Sequence, residues 1–360
     1  MSRPAQAKLY LNHLLHNVHI MQRKIGTSKL TAMVKANAYG HGIRSVSLRL
    51  QDHVNSFGVA SIDEAIMLRK VGIKKSIILM EGIFEPYELN LALQEQFCLV
   101  FHTTAQLNWL EASNLKFSST LWLKVDTGMG RLGFLPEQAL AAYTILQNHV
   151  HKDGTVGIMS HLGMAENINN PITQKQLDFC YELIKTFPGP FSFANSAGIF
   201  TIPSLHKEYV RPGIALYGIS PFANSTGLDL DLKPVMQLQS SIIAIKTVPK
   251  GHAVGYTGSF ICPEKMPVGI VALGYGDGYP RSAKQGTPLL IADTLCPLIG
   301  NVSMDMLAVD LRALPTAKVG DQVIAWGAEL PVEIIAQHAA TIPFDLVTRL
   351  QNRITCRWIE

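Results

Sequence analysis

The chain has 360 residues, 48% of them hydrophobic, and a formal net charge of +4. That length suffices for one large domain and a smaller one. Lys and Arg are scattered and form no basic run, so there is no nucleic-acid footprint, and no apolar run is long enough to span a membrane. Residues 1–8 lead into no compact apolar segment of the kind a signal peptide carries. The cysteines at positions 98, 180, 262, 296 and 356 stand far apart, with no Cys-x-x-Cys. Neither a metal site nor a disulfide framework is expected, and reduced thiols in a cytoplasmic protein are.

In chain order, Asn12 is expected to cap an opening helix with Leu14, Leu15, Val18, Met21 and Ile25 on one stripe. Short apolar runs then alternate with helix-like stretches: "LTAMV", "SFGVA", "SIILM", "CLVF", "LWLKV", "VGIMSH", "FSFA" and "YVRPGIALYG". Ser61-Ile62-Asp63-Glu64 forms a capping box, and Pro136 suits a first helical turn. Eight strand–helix units predict a (β/α)8 barrel over residues 1–230. A doubly wound open sheet is the alternative, but no Gly-x-Gly-x-x-Gly follows the first run. Residues 231–360 change texture, to strand-like runs broken by Gly and Pro with one helix near 332–340. They predict a separate, mostly-β domain.

Functional side chains of such a barrel stand at the C-terminal ends of its strands. The first run delivers Lys35, the fifth Lys124, Asp126 and Arg131, and the sixth His161. The seventh delivers Asn195, Ser196, Ala197 and Gly198, and the eighth Arg211 and Gly213. A partly desolvated lysine spends more time as the free amine, which attacks aldehydes. Beside an anion site after the last two strands, it makes pyridoxal 5′-phosphate a natural ligand. The bland alternatives are a lysine whose head reaches water, a turn-forming Ser196, a structural His161, and a surface pair between Lys124 and Asp126.

The run "MVKANAYGHG" resembles the cofactor-attachment motif of the alanine racemase family. "KVDTGMGRLGF", "MSHLG", "NSAG", "VRPGIALYG", "VGYTGSF", "GYGDGYPR" and "GNVSMDM" follow in that family's order, and "RPAQAKLYLNHLLHN" extends the likeness toward the N-terminus. The resemblance implies a two-base, pyridoxal-phosphate-dependent racemase of alanine, supplying D-alanine for peptidoglycan or degrading it. It implies that Lys35 bonds the cofactor, while Tyr39, Ser196 and the backbone of Gly213 and Ile214 hold its phosphate, with Asn195 nearby. Arg211 would face the pyridine nitrogen, and Arg131 the cofactor's phenolic oxygen and the substrate carboxylate. Lys124 would be open to carbamylation. The second base would be Tyr256, its proton taken up through His161 and Arg211. Tyr275 would narrow the entrance, and Met304 N–H would bind the substrate carboxylate. The implied assembly is a homodimer that shares its sites between chains. Two positions depart from the pattern: Thr257 stands where glycine is usual, and Asn352 where a phosphate-contacting tyrosine is usual. The competing readings are a decarboxylase of the same two-domain design, which would place an acid where Arg211 stands, a broad-spectrum racemase, and a non-catalytic pyridoxal-phosphate carrier.

Overall fold

The computed structural model describes residues 3–360. They fall into two compact units: residues 17–38 with 42–216, and residues 3–16, 39–41 and 217–360. The first is the predicted barrel. With β1 (Gln6–Tyr10) lying outside it, its parallel strands are β2 (Lys29–Met33), β3 (Ser56–Val59), β4 (Ser76–Leu79), β5 (Cys98–Phe101), β6 (Leu121–Lys124), β7 (Val156–Met159), β8 (Phe191–Ser192) and β9 (Tyr209–Val210). They close in sequence order, with β9 beside β2 through Lys29–Tyr209 and Leu30–Val210. Every residue of β3, β5, β6 and β7 is buried, as a sheet covered on both faces requires. Ser61 and Pro136 stand at helix starts, as expected: Ser61 Oγ accepts the Glu64 N–H, and Pro136 opens a 3-10 turn ahead of Ala139–Asn148. Asn170, outside that expectation, caps Pro171–Thr186.

The second unit is mostly β, with β10 (Met236–Val248), β11 (Ala253–Val254), β12 (Phe260–Ile261), β13 (Met266–Val271), β14 (Pro288–Ile291), β15 (Thr294–Ile299), β16 (Leu307–Asp310), β17 (Gln322–Trp326) and β18 (Thr355–Ile359). The main sheet runs β13-β16-β15-β14-β17-β10-β1-β18. The long β10 also pairs with β13, so the sheet closes on itself and leaves β1 and β18 as an extension. Ala292 (φ 44°) and Asp293 (φ 61°) make the two-residue turn between β14 and β15, both left-handed as such a hairpin demands.

The two units divide in sequence at 216/217, against an expected boundary near 230, and β1 lies in the second unit, pairing antiparallel with β10 and parallel with β18. Two expectations are corrected. The opening helix begins at Leu11, so Asn12 lies inside its first turn rather than before it. The single C-terminal helix is two, Val332–His338 and Pro343–Thr348, because Pro343 starts a new helical turn where the first has ended. Among the described residues no helix is long and apolar enough to cross a membrane.

Candidate active site

Lys35 follows β2 and opens a turn of unusual hand. Ala36, Asn37, Ala38 and Tyr39 have φ of 51°, 53°, 53° and 53°. Left-handed backbone costs a residue with a Cβ roughly 1–2 kcal/mol, so four in succession need external support. Glu64 Oε1 accepts the Ala36 N–H at 2.7 Å, and Val34 O accepts the Ala38 N–H at 2.8 Å. Asn37 accepts from Gly42 N–H through its carbonyl and from Ile43 N–H through its side chain. Gly40 (φ 80°) then closes the turn, where a Cβ would collide with Val347 O. Beyond it, Tyr39 and His41 belong to the β-rich unit, and each ring stacks on Tyr217, at 5.0 and 4.5 Å between centroids. Burial pushes the Tyr39 phenol up to about 12.

Lys124 ends β6 and is only 5% exposed. Burial, then the charges of Arg211, Arg131 and Lys35, pull its ammonium down to about 8, with Glu81 opposing. The Lys124–Asp126 surface pair is not what the fold builds. Asp126 turns its carboxylate onto its own loop, where it accepts from the N–H of Gly128 (2.9 Å), Met129 (2.8 Å) and Arg131 (3.1 Å). Burial would raise this acid, but those N–H groups outweigh it and hold it below the usual range. The loop needs Gly133 (φ 130°), since a Cβ there would lie 2.6 Å from Asp126 N. Arg131 projects from this loop, exposed. Lys124, Asp126, Arg131, Ser160 and His161 line one depression.

His161 is held well below 6.5, first by burial and then by Arg211, Lys124, Arg131 and Lys35, so its ring is neutral at pH 7. Its segment is clamped by the buried Gln176, which donates to His161 O (3.1 Å) and accepts from Gly163 N–H (2.9 Å). Arg211 is 4% exposed. Its Nη1 donates to both Ser192 O and Ser192 Oγ at 2.6 Å, and its Nη2 to Ser160 O at 2.7 Å. No acidic side chain forms an ion pair with it among the described residues. Burial lowers this guanidinium to about 10, which leaves it charged at neutral pH.

Asn195 caps the short helix Ser196–Thr201 by accepting from Gly198 N–H (2.9 Å), and donates to Leu162 O (3.3 Å). Ser196 Oγ accepts from the N–H of both Gly213 (2.9 Å) and Ala215 (3.3 Å). The Gly213 N–H is thus engaged by Ser196. With both lone pairs engaged, the Ser196 hydroxyl keeps its own proton to donate. Ile214, 1% exposed, begins the 3-10 turn Ile214–Tyr217.

The remaining predicted residues lie on the β-rich unit. Tyr256 is 67% exposed. Thr257 beside it takes φ 62°, a conformation that explains why glycine would suit the position; Asn301 Nδ2 ties it down through Thr257 Oγ1 and Tyr256 O. Tyr275 and Met304 sit on two interlocked loops, through Tyr275 N–H to Ser303 O (3.0 Å) and Gly276 N–H to Met304 O (2.8 Å). The fully buried Asp277 accepts from Arg3 and Arg353, and Arg353 also reaches Asp305. Asp305 is thus tied to both arginines, its backbone oxygen to Arg3 and its carboxylate to Arg353, and Asn352 is exposed.

The barrel unit therefore brings together Lys35, Lys124, Arg131, His161, Asn195, Ser196, Arg211, Gly213 and Ile214. Glu64, Gln176, Ser192, Arg3 and Asp277 escaped the sequence reading. Only Glu64 carried a signal, as the capping-box acid. The chemistry of the set fits a phosphorylated aromatic aldehyde. It offers an amine, a hydroxyl donor, a buried cation without a counter-charge, and a mouth whose positive groups outnumber its acids.

The family model described as "Alanine racemase, N-terminal domain" matches residues 9–221, and "Alanine racemase, C-terminal domain" matches residues 235–358. An alanine racemase of Coxiella burnetii is 44% identical over 361 residues, covering 99% of each chain. The biosynthetic alanine racemase of Pseudomonas aeruginosa superposes with a TM-score of 0.95 at 38% identity, covering 99% of this chain and 100% of its own. The alanine racemase of Bartonella henselae with covalently bound pyridoxal phosphate does so at 0.89 and 28% identity, covering 99% of each. With both halves matched by the family's two models, the chain belongs to the alanine racemase family.

Proposed function

We propose that the protein interconverts L- and D-alanine with pyridoxal 5′-phosphate, using one base on each side of the substrate Cα. The observation that carries the reading is Arg211, a buried cation whose partners are carbonyl and hydroxyl oxygens, below a mouth that holds Lys35, Lys124 and Arg131. When bound, the cofactor supplies an electron-withdrawing ring conjugated to the substrate nitrogen. Lys35 would hold it covalently through Nζ. The Ser196 hydroxyl, the Tyr39 phenol and the backbone at Ile214 would grip its phosphate, with Gly213 and Asn195 fixing that cradle. Arg211 can donate a hydrogen bond to the ring nitrogen but cannot hand over its proton. By withholding that proton, Arg211 would favour return of the proton to Cα over transamination. A decarboxylase would need an acid at this place.

Lys35 Nζ would hold and move a proton at one face of the substrate Cα. Tyr256 from a partner chain serves the other face. A free phenol ionises near ~10, so it needs an acceptor for its proton. The neutral ring of His161 offers one nitrogen to accept and one to donate. Arg131 orients the substrate carboxylate together with Met304 N–H, and Tyr275 limits the side chain to a small one. At pKa about 8 a minor fraction of Lys124 is free amine at pH 7, enough to add carbon dioxide and become an anion that pairs with Arg131. The five free cysteines fit a reducing, cytoplasmic location. The working form is a homodimer, and its product serves peptidoglycan synthesis or alanine breakdown.

The test uses L-alanine in deuterium oxide with cofactor-loaded protein. Exchange of the α-proton with inversion is expected, and borohydride followed by peptide mapping should find the pyridoxyl group on Lys35. Carbon dioxide release, or a label on another lysine, would refute the reading.

A further inference from the structure

We infer that Glu64 is a positioning residue for Lys35. This rests on the reading of Lys35 as the cofactor-bonding lysine. The residue after Lys35 begins four consecutive left-handed residues, none of them glycine. Left alone, such a stretch reverts to right-handed or extended backbone, and the Lys35 side chain would turn with it. A side chain from another element holds the start of this turn: Glu64 Oε1 takes the Ala36 N–H at 2.7 Å. The other oxygen, Oε2, takes the Ala60 N–H at 2.8 Å. Ala60 follows β3, and the Ala32–Phe57 and Met33–Gly58 pairings set β3 in register beside β2. Glu64 is itself fixed, because its own N–H donates to Ser61 Oγ at the start of the helix Ile62–Lys70. One carboxylate therefore bridges the loops after neighbouring barrel strands and aims the residue next to Lys35. A capping-box acid ordinarily reaches back to its own N-cap; this one reaches back one residue further and across to the next strand.

If the clamp is what matters, glycine at position 36 makes it dispensable, since glycine takes φ near 51° without strain. The measurement is the concentration of pyridoxal 5′-phosphate that half-saturates borohydride-fixed label on Lys35, read by peptide mapping, with circular dichroism confirming the fold of each cofactor-free variant. Glu64→Ala should raise that concentration at least tenfold, and adding Ala36→Gly should bring it back to within about threefold of the wild type. If Glu64→Ala does not fold, Glu64→Gln, which keeps the shape but one acceptor, should show a rise of about threefold or more. Wild-type capture by the folded Ala or Gln variant would overturn the inference. So would a folded double variant with no recovery, because Glu64 would then act other than through the turn. A wild-type label on a different lysine would instead strike the proposed function, so the two failures are distinguishable.

Discussion

Lys124 is a cation that the barrel holds against its own preference. The drop from 10.5 to about 8 corresponds to about 3 kcal/mol of destabilisation at neutral pH. Between pH 8 and 10.5 the unfolded chain binds the extra proton, so stability attributable to this group rises with pH across that window, and the penalty is full below it. Lys124→Met should therefore stabilise the cofactor-free protein at pH 7 by up to about 3 kcal/mol in carbon-dioxide-free buffer, with the gain fading toward pH 10.5. Urea unfolding at several pH values reads this directly, and an equal gain at every pH would show that charge burial is not the cause. At this scale the sequence was most legible where a charged residue ends an apolar run, as at Lys35, Lys124 and Arg211. It misled where an acid stood nearby: Asp126, two residues on, reads as a partner for Lys124, yet lies past the strand end and serves its own loop. Glu64's bond to Ala36 spans 28 residues, and no local pattern announces it.

Elements were legible in proportion to how completely they are buried. All eight barrel strands coincide with apolar runs, because strands covered on both faces carry continuous hydrophobic sequence. β1 alternates instead, and its partners lie more than 200 residues away, so nothing local detaches it from the barrel. The same remoteness hid the tie between the loops of Tyr275 and Met304. Asp277 accepts from Arg3 Nε (3.0 Å) and Nη2 (2.7 Å), Arg353 Nε (2.6 Å) and Gly274 N–H (2.9 Å). Burial alone would raise this acid, but the two arginines and the Gly274 N–H outweigh it and hold it below the usual range. Asp277→Asn should cost on the order of 3 kcal/mol at pH 7 by leaving two guanidinium groups underpaired. The stability of the ionised form is present above the ordinary carboxylate pKa and lost as pH falls through the lower, folded one, so the gap between wild type and variant should begin to narrow below about pH 4. Because Tyr275 and Met304 ride on these loops, KM for alanine should rise several-fold while kcat changes less. Unfolding curves at pH 7 and 3.5, with steady-state kinetics, check both; an unaltered KM in a destabilised protein would separate this network from the substrate entrance.

At the scale of the whole molecule, the two proposed bases belong to different units: Lys35 to the barrel, Tyr256 to the β-rich one. Tyr256 is 67% exposed in a single chain, an odd setting for a group that must work on a desolvated Cα. The proposed head-to-tail pair would resolve it, because a two-fold axis would give every barrel a Tyr256 from the other chain and build two equivalent sites. This arrangement was read from family resemblance, since no pattern within one chain encodes which copy supplies a residue. It makes a quantitative prediction. Lys35→Ala and Tyr256→Phe homodimers should each be nearly inactive, since every site lacks one base. A mixed dimer puts both lesions into one site and leaves the other whole. Free reassortment of equal amounts makes about half of the dimers mixed, each with one working site of two, so roughly a quarter of wild-type activity should return. Dissociation and remixing, with differently tagged chains to isolate the mixed dimer, gives the cleaner value of about half. If isolated mixed dimers stay as inactive as their parents, Lys35 and Tyr256 act within one chain, and the exposure of Tyr256 must be relieved by movement of its own unit instead.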